Sequence, residues 1–142
     1  MAFNKILIAV DLSHLESAKK AVKTALELAQ HNPDAVFRVV SIIKPLENSF
    51  VSSLLPRNFD KDVLNEANRK LHQFTHDNFP AGTKVQHIVM HGTVYEEINT
   101  LAQQKNVDLI IMMATKPNKE GLSSNTVKVA RYSDKPILIL RL

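Results

Sequence analysis

The 142-residue chain contains no cysteine and no tryptophan, and it has only three glycines. Without cysteine the chain has no disulfide, no thiolate nucleophile and no cysteine-type zinc site, a composition that suits a reducing compartment. Because aromatic residues make up only 6% of the chain, its core must be mainly aliphatic. Neither a G-x-G-x-x-G nor a Walker A sequence occurs, so these two glycine-rich phosphate loops are excluded.

Long apolar runs are also missing. No run approaches the ~20 residues of a membrane span, and the apolar stretch near the start is too short for a signal peptide. We therefore expect a cytoplasmic protein with no membrane contact. The net charge of +4 could attract anions, nucleic acid included. Since the basic residues are scattered and form no Lys/Arg run, we expect no nucleic-acid partner.

Two kinds of apolar pattern alternate along the chain. Nearly continuous apolar runs predict parallel strands covered on both faces, and they span 6–10, 36–43, 85–90, 109–113 and 137–140. Apolar residues at helical spacing predict helices near 13–29, 63–74, 93–102 and 124–132. This alternation favours βαβ units and a single α/β domain over 1–142, with helices on both faces. Strand order does not follow from the pattern.

Two local signals refine these boundaries. Ser13-x-x-Glu16 and Thr93-x-x-Glu96 have the spacing of capping boxes and predict where the first and third helices begin. Residues 44–58 show no clear period and include two prolines, so they are predicted to form a long crossover loop.

Ligands in open α/β sheets bind beyond the carboxyl ends of the strands. At such a position Asp11 could accept a hydrogen bond from a ribose hydroxyl or an amine, or it could simply cap a turn. The loop 114–124 carries Lys116 and Lys119 and ends at a helix start, where free amides attract anions. Only Gly121 offers a bare Cα in this loop, so a well-built polyphosphate cradle is not expected.

The histidines do not form a recognisable catalytic or metal-binding set. His72 and His76 are spaced i, i+4 on a predicted helix, but no third ligand is evident, so we interpret them as solvated. The remaining histidines are interpreted as rim, buried or surface residues: His14, His31, His87 and His91. With no nucleophile–base set and no carboxylate pair, we expect no enzyme activity, no metal and no required cofactor.

Several segments resemble universal stress proteins, closest to the universal stress protein A subgroup. The resemblance lies in the opening strand and turn (6–13), the turn into the third helix (92–98), the fourth strand (107–113) and the last helix and strand (123–140). It implies a Rossmann-like (adenine nucleotide alpha hydrolase-like) fold with a five-stranded parallel sheet of order 3-2-1-4-5. It also implies a homodimer through the last strand, 136–141, and an unknown protein partner.

The resemblance also implies a nucleotide site that is damaged in this chain. Family members that bind ATP carry G-x2-G-x9-G-S/T after the fourth strand, and here all three glycines are replaced, by Ala114, Pro117 and Ser123. Asp11 is retained, and Ile42 falls where the family packs adenine. The positions implied to contact a nucleotide are Ala9, Val10, Asp11, Ile42, Met113, Ala114, Thr115, Ser123 and Ser124. We expect weak or absent ATP binding, with residual AMP or adenosine binding less surprising.

Three functional hypotheses remain open. The first is a non-enzymatic, dimeric stress-response protein with a degenerate adenine-nucleotide pocket. The second is a switch protein that still binds ATP or AMP, and the third is an α/β enzyme that uses the carboxylate of Asp11. The glycine-poor loop favours the first over the second, and the missing nucleophile–base set disfavours the third.

Overall fold

Strands and helices alternate along the chain, as the apolar pattern predicts. The structure is a computed structural model and describes residues 3–44, 54 and 59–142. Its elements are β1 (Lys5–Ala9), α1 (Leu15–Leu28), β2 (Val36–Ile43), α2 (Phe59–Asn78), β3 (Lys84–His91), α3 (Val94–Gln104), β4 (Leu109–Met113), α4 (Ser124–Tyr132) and β5 (Ile137–Leu140). A short 3₁₀ helix, Leu12–His14, lies between β1 and α1.

The five strands form one parallel sheet in the order β3-β2-β1-β4-β5. The central position of β1 is seen at Ile8, which pairs with Val39 of β2 and Ile111 of β4. This order confirms the one that the family resemblance implies. The strands β3 and β5 therefore lie at the two edges of the sheet.

Hydrophobic cores fill both sides of the sheet because successive side chains of a strand point to opposite faces. Ile6 and Ile8 pack against α1 and α2, whereas Leu7 between them packs against α3 and α4. The helices contribute residues at helical spacing, including Ala18, Ala21, Val22, Ala25, Leu71, Phe74, Ile98, Leu101 and Val129. Burying one Leu or Ile side chain stabilises the fold by about 1.5–3 kcal/mol, so both helix layers are held firmly.

Neither predicted capping box forms its side-chain hydrogen bond, and only the predicted start of the third helix is confirmed. Asp11 begins a 3₁₀ turn instead, and its Oδ1 accepts a hydrogen bond from the amide of Ser13 at 2.9 Å. This turn delays α1, which starts at Leu15 with His14 as N-cap and no side-chain capping bond. Thr93 does occupy the N-cap position of α3, but its side chain makes no capping bond.

The predicted crossover loop 44–58 lies outside the described residues, apart from Lys44 and Leu54. Among the helices of the described segments, none combines the length and the apolar character that crossing a membrane demands.

Candidate functional site

A cleft of about 420 Å³ opens at the carboxyl ends of β1, β2 and β4. From the central strand β1 the chain first builds β2 and β3 on one side and later β4 and β5 on the other. The loops after β1 and β4 therefore diverge, which leaves space between them at the reversal of strand order. The volume lies within the range of roughly 300–1,000 Å³ that is usual for small-molecule sites.

Most of the predicted nucleotide contacts line this cleft. They are Ala9, Val10, Asp11, Ile42, Met113, Thr115 and Ser123. Ala114 and Ser124 are not part of the lining. Ala114 is buried, and its amide donates to the carbonyl oxygen of Leu140 at 2.7 Å, whereas Ser124 is exposed at the first turn of α4. The structure thus brings together residues from three strands and one helix start.

Asp11 caps a turn and also lines the cleft. Its Oδ1 holds the 3₁₀ turn through the amide of Ser13. Within the described residues its Oδ2 has no hydrogen-bond partner, and the side chain lines the cleft. The carboxylate can therefore cap the turn and accept a hydrogen bond from a ligand hydroxyl at the same time.

Ser123 and Thr126, at the end of the loop after β4, use their polar groups in internal hydrogen bonds. The amide of Ser123 donates to the carbonyl oxygen of Ala114 at 2.8 Å, and the Ser123 hydroxyl accepts from the amide of Thr126 at 3.1 Å. Thr126 in turn donates from Oγ1 to the carbonyl oxygen of Met113 at 3.0 Å. Pro117, which lines the cleft, has no amide to donate. Positions 117 and 123 of this loop therefore have no free amide to offer a phosphate.

Cationic and imidazole side chains enter the cleft from separate segments. Lys44 follows β2, Lys116 follows β4, and both line the cleft, whereas Lys119 of the same loop does not. His14 also lines it, where the sequence analysis expected only a surface role. His14 could have been assigned to the site only by predicting the turn at Asp11, because that turn begins the 3₁₀ helix that ends at His14.

Small polar residues complete the lining, and the sequence analysis did not assign them to the site. They are Ser13, Ser17, Ser41, Asn125 and Thr126. Ser17, Ser41 and Thr126 are buried, which is unusual for hydroxyl side chains. Ser41 could have been found, because it interrupts an otherwise apolar stretch of β2 near the carboxyl end of the strand.

A histidine pair lies away from the cleft, between α2 and β3. The rings of His72 and His87 meet edge-to-face with centroids 4.9 Å apart, and His72 is exposed, as predicted. Burial, and secondarily the nearby His72, lower the pKa of His87. The described part of the chain holds no group of three or more side chains placed to bind a metal ion.

Comparison with known proteins gives a consistent result. Residues 2–141 match the model of the universal stress protein family. Universal stress protein G of Shigella flexneri is 24% identical, with 98% of this chain and 99% of that protein aligned. Among solved structures, hypothetical protein MJ0577 is 27% identical with a TM-score of 0.84, covering 100% of this chain and 98% of the other.

Other similar structures share the fold at lower identity. UspA from Lactobacillus plantarum is 21% identical with a TM-score of 0.75, and the alignment covers 99% of each chain. The universal stress protein from Archaeoglobus fulgidus in complex with dAMP is 17% identical with a TM-score of 0.71, covering 98% of each chain. A universal stress protein in complex with cAMP is 20% identical with a TM-score of 0.61, covering 99% of this chain and 98% of the other.

Proposed function

Since the chain belongs to the universal stress protein family, we propose that it is a non-enzymatic, homodimeric stress-response protein that acts through contacts with a protein partner. Its cleft keeps the nucleoside end of an adenine-nucleotide site and lacks a cradle for a triphosphate. The absence of cysteine suits a role in the reducing cytoplasm.

The observation that carries this proposal lies in the loop after β4, at Pro117 and Ser123. A triphosphate cradle needs amides that point at the phosphates and bare Cα atoms that let the phosphates approach. Here the Ser123 amide is already bonded to Ala114, and Pro117 has none. Ser123 also adds a Cβ and a hydroxyl that is engaged with Thr126. We therefore expect ATP to bind weakly or not at all.

The nucleoside end has more of what a ligand needs. Asp11 offers a free carboxylate oxygen for a ribose hydroxyl, and Ile42 and Met113 offer apolar surface for a flat base. The related structures solved with dAMP and cAMP share this fold and support an adenine mononucleotide as the ligand class. This cleft also keeps open the second hypothesis, a switch protein that responds to a bound nucleotide.

Titration calorimetry with ATP, with and without magnesium, tests the proposal. We expect no saturable heat from ATP up to millimolar concentration, and no release of phosphate from ATP during incubation. A sub-millimolar dissociation constant for ATP would instead favour the nucleotide switch. Measurable turnover that disappears in Asp11→Asn would favour the enzyme hypothesis.

Homodimerisation is proposed through residues 136–141. Within the described sheet β5 pairs only with β4, so the other side of its main chain is an open edge. All four β5 residues remain partly exposed although they are apolar. An open apolar edge invites pairing with another strand, and a second copy of the same edge meets that need. Light scattering that shows only a 16.0 kDa monomer at micromolar concentration would refute the dimer.

A further inference from the structure

We propose that Lys44 and Lys116 take the place of the glycine-rich phosphate loop that this chain lacks and make the cleft selective for a nucleoside monophosphate that binds without magnesium. The inference rests on the proposed function, because it needs the nucleoside end of the cleft to be retained. It adds the ligand class and names the two side chains that select it.

The topology places the two lysines on opposite sides of the central strand. Lys44 follows β2 and Lys116 lies three residues after β4 ends, and β2 and β4 are the two neighbours of β1. With strands spaced about 4.8 Å apart, the carboxyl ends of β2 and β4 are separated by roughly 10 Å. Long lysine side chains can approach one phosphate from both sides across such a distance.

The charges that line the cleft match a single phosphate. In the part of the chain that the structure describes, the ionisable side chains of the lining are His14, Asp11, Lys44 and Lys116. Neither lysine forms a salt bridge with a carboxylate in the described part of the chain. A phosphate monoester carries a charge of about −1.5 to −2 near pH 7, which two lysines can balance. Among the described residues of the lining, no further lysine would meet the additional phosphates of ATP.

Lysine suits a cleft without glycine-rich loops, because it can bind a phosphate without close approach of the main chain. An ammonium group is a point charge at the end of a flexible chain, so it reaches a phosphate without close approach of the Cα. The interaction depends on charge more than on direction, and both lysines are exposed, so salt should weaken it.

Magnesium has few ligands of its own in the cleft. Mg²⁺ is usually held by one or two carboxylates together with substrate phosphates. Among the described residues Asp11 is the only carboxylate of the lining, and one of its oxygens already holds the 3₁₀ turn. The positive charge opposite the phosphate is therefore supplied by the protein side chains.

The test is calorimetric titration of the whole chain with adenosine, AMP and ATP in buffer containing EDTA. We expect AMP to bind about tenfold more tightly than adenosine at low salt, an advantage of about 1.4 kcal/mol. Adding salt, or the double substitution Lys44→Ala/Lys116→Ala, should remove this advantage, so that AMP and adenosine bind about equally. Adenosine binding itself should not change. Lys119→Ala is the matched control, because it removes a lysine from the same loop outside the cleft lining, and it should leave the advantage intact.

The outcomes separate this inference from the proposed function. Three results would overturn the role of the two lysines and leave the proposed function standing. The unaltered protein could bind AMP and adenosine equally, or the advantage of AMP could survive the double substitution. The third such result is a loss of the advantage in Lys119→Ala. No binding of either ligand would overturn the inference together with the retained nucleoside end of the cleft, and it would leave the non-enzymatic role standing. Tighter binding of ATP than of AMP would overturn both. Thermal melting of each variant checks that the lysine substitutions leave the fold intact.

Discussion

The hydroxyl of Thr126, in the first turn of α4, donates a hydrogen bond to the main-chain carbonyl oxygen of Met113, the last residue of β4. The two atoms are 3.0 Å apart, and Thr126 is only 2% exposed. The same hydroxyl lies 2.9 Å from that of Ser123. One buried side chain thus joins both ends of the loop that rims the cleft.

Replacing Thr126 with valine should test this link. Thr126→Val keeps the shape of the side chain but leaves the carbonyl oxygen of Met113 without its hydroxyl donor, so we expect a loss of about 1–3 kcal/mol in the free energy of unfolding. Urea denaturation measures this loss. Thr100→Val, on an exposed position of α3, is the control and should change stability by less than about 0.5 kcal/mol. Equal effects of both substitutions would contradict the role assigned to Thr126.

Restoring glycines should partly restore a triphosphate site. Pro117→Gly/Ser123→Gly returns an amide at position 117 and removes a Cβ and a hydroxyl at position 123. We expect ATP affinity to rise by about tenfold or more, the effect of one or two added hydrogen bonds to a charged phosphate. Affinity for AMP should change much less. Titration calorimetry measures both.

The control for the glycine variant is Asn118→Gly. Asn118 lies in the same loop, has a φ of 65°, and does not line the cleft. Glycine adopts this left-handed conformation readily, so the substitution changes loop flexibility without changing the lining. Should Asn118→Gly raise ATP affinity as much as the double variant does, the explanation from missing amides would be wrong.

Substitutions of Asp11 should separate its structural role from its binding role. Asp11→Ala removes the acceptor of the Ser13 amide as well as the free oxygen, so it should lower stability by about 0.5–2 kcal/mol and weaken adenosine binding. Asp11→Asn keeps a carbonyl acceptor for the turn and should retain most of the stability. Because its neutral oxygen is a weaker acceptor, adenosine binding should still fall. Thermal melting and adenosine titration together distinguish the two effects, and unchanged adenosine binding in both variants would remove Asp11 from the site.

The histidine pair should make stability depend on pH. Burial and the nearby His72 lower the pKa of His87 below its ordinary value of 6.5 in the folded protein. The unfolded chain therefore binds more protons as pH falls through about 6.5, so the free energy of unfolding should decrease on acidification from about pH 7.5 to below 6. His87→Gln should flatten this part of the stability profile. His76→Gln, at an exposed position of α2, should not, and a profile unchanged by His87→Gln would contradict the assignment.

The sequence predicted the secondary structure well because the fold places its strands between two helix layers. Ile6, Leu7 and Ile8 are fully buried on alternating faces, so β1 must be apolar at every position and appears as an uninterrupted run. Strand order is different, since it depends on which strands pair in space, and it was available only from the family resemblance.

The local details of the site were harder to predict. Ser13 and Glu16 have the spacing of a capping box, but Asp11 captures the amide of Ser13 first and a 3₁₀ turn forms. That turn is also what brings His14 into the cleft, so one missed hydrogen bond accounts for both errors. Lys44 and Lys116 could be placed near the site from strand ends alone, whereas the closed bonding of the loop through Thr126 depends on contacts that spacing does not encode.

The last strand and the rim of the cleft are physically tied. The amide of Ala114 bonds to Leu140, and the guanidinium group of Arg141 donates to the carbonyl oxygen of Gly121 at 3.2 Å. Substitutions in the last strand can therefore disturb the pocket from a distance in sequence. A second strand that paired with β5 would likewise be coupled to the rim of the cleft through these two bonds.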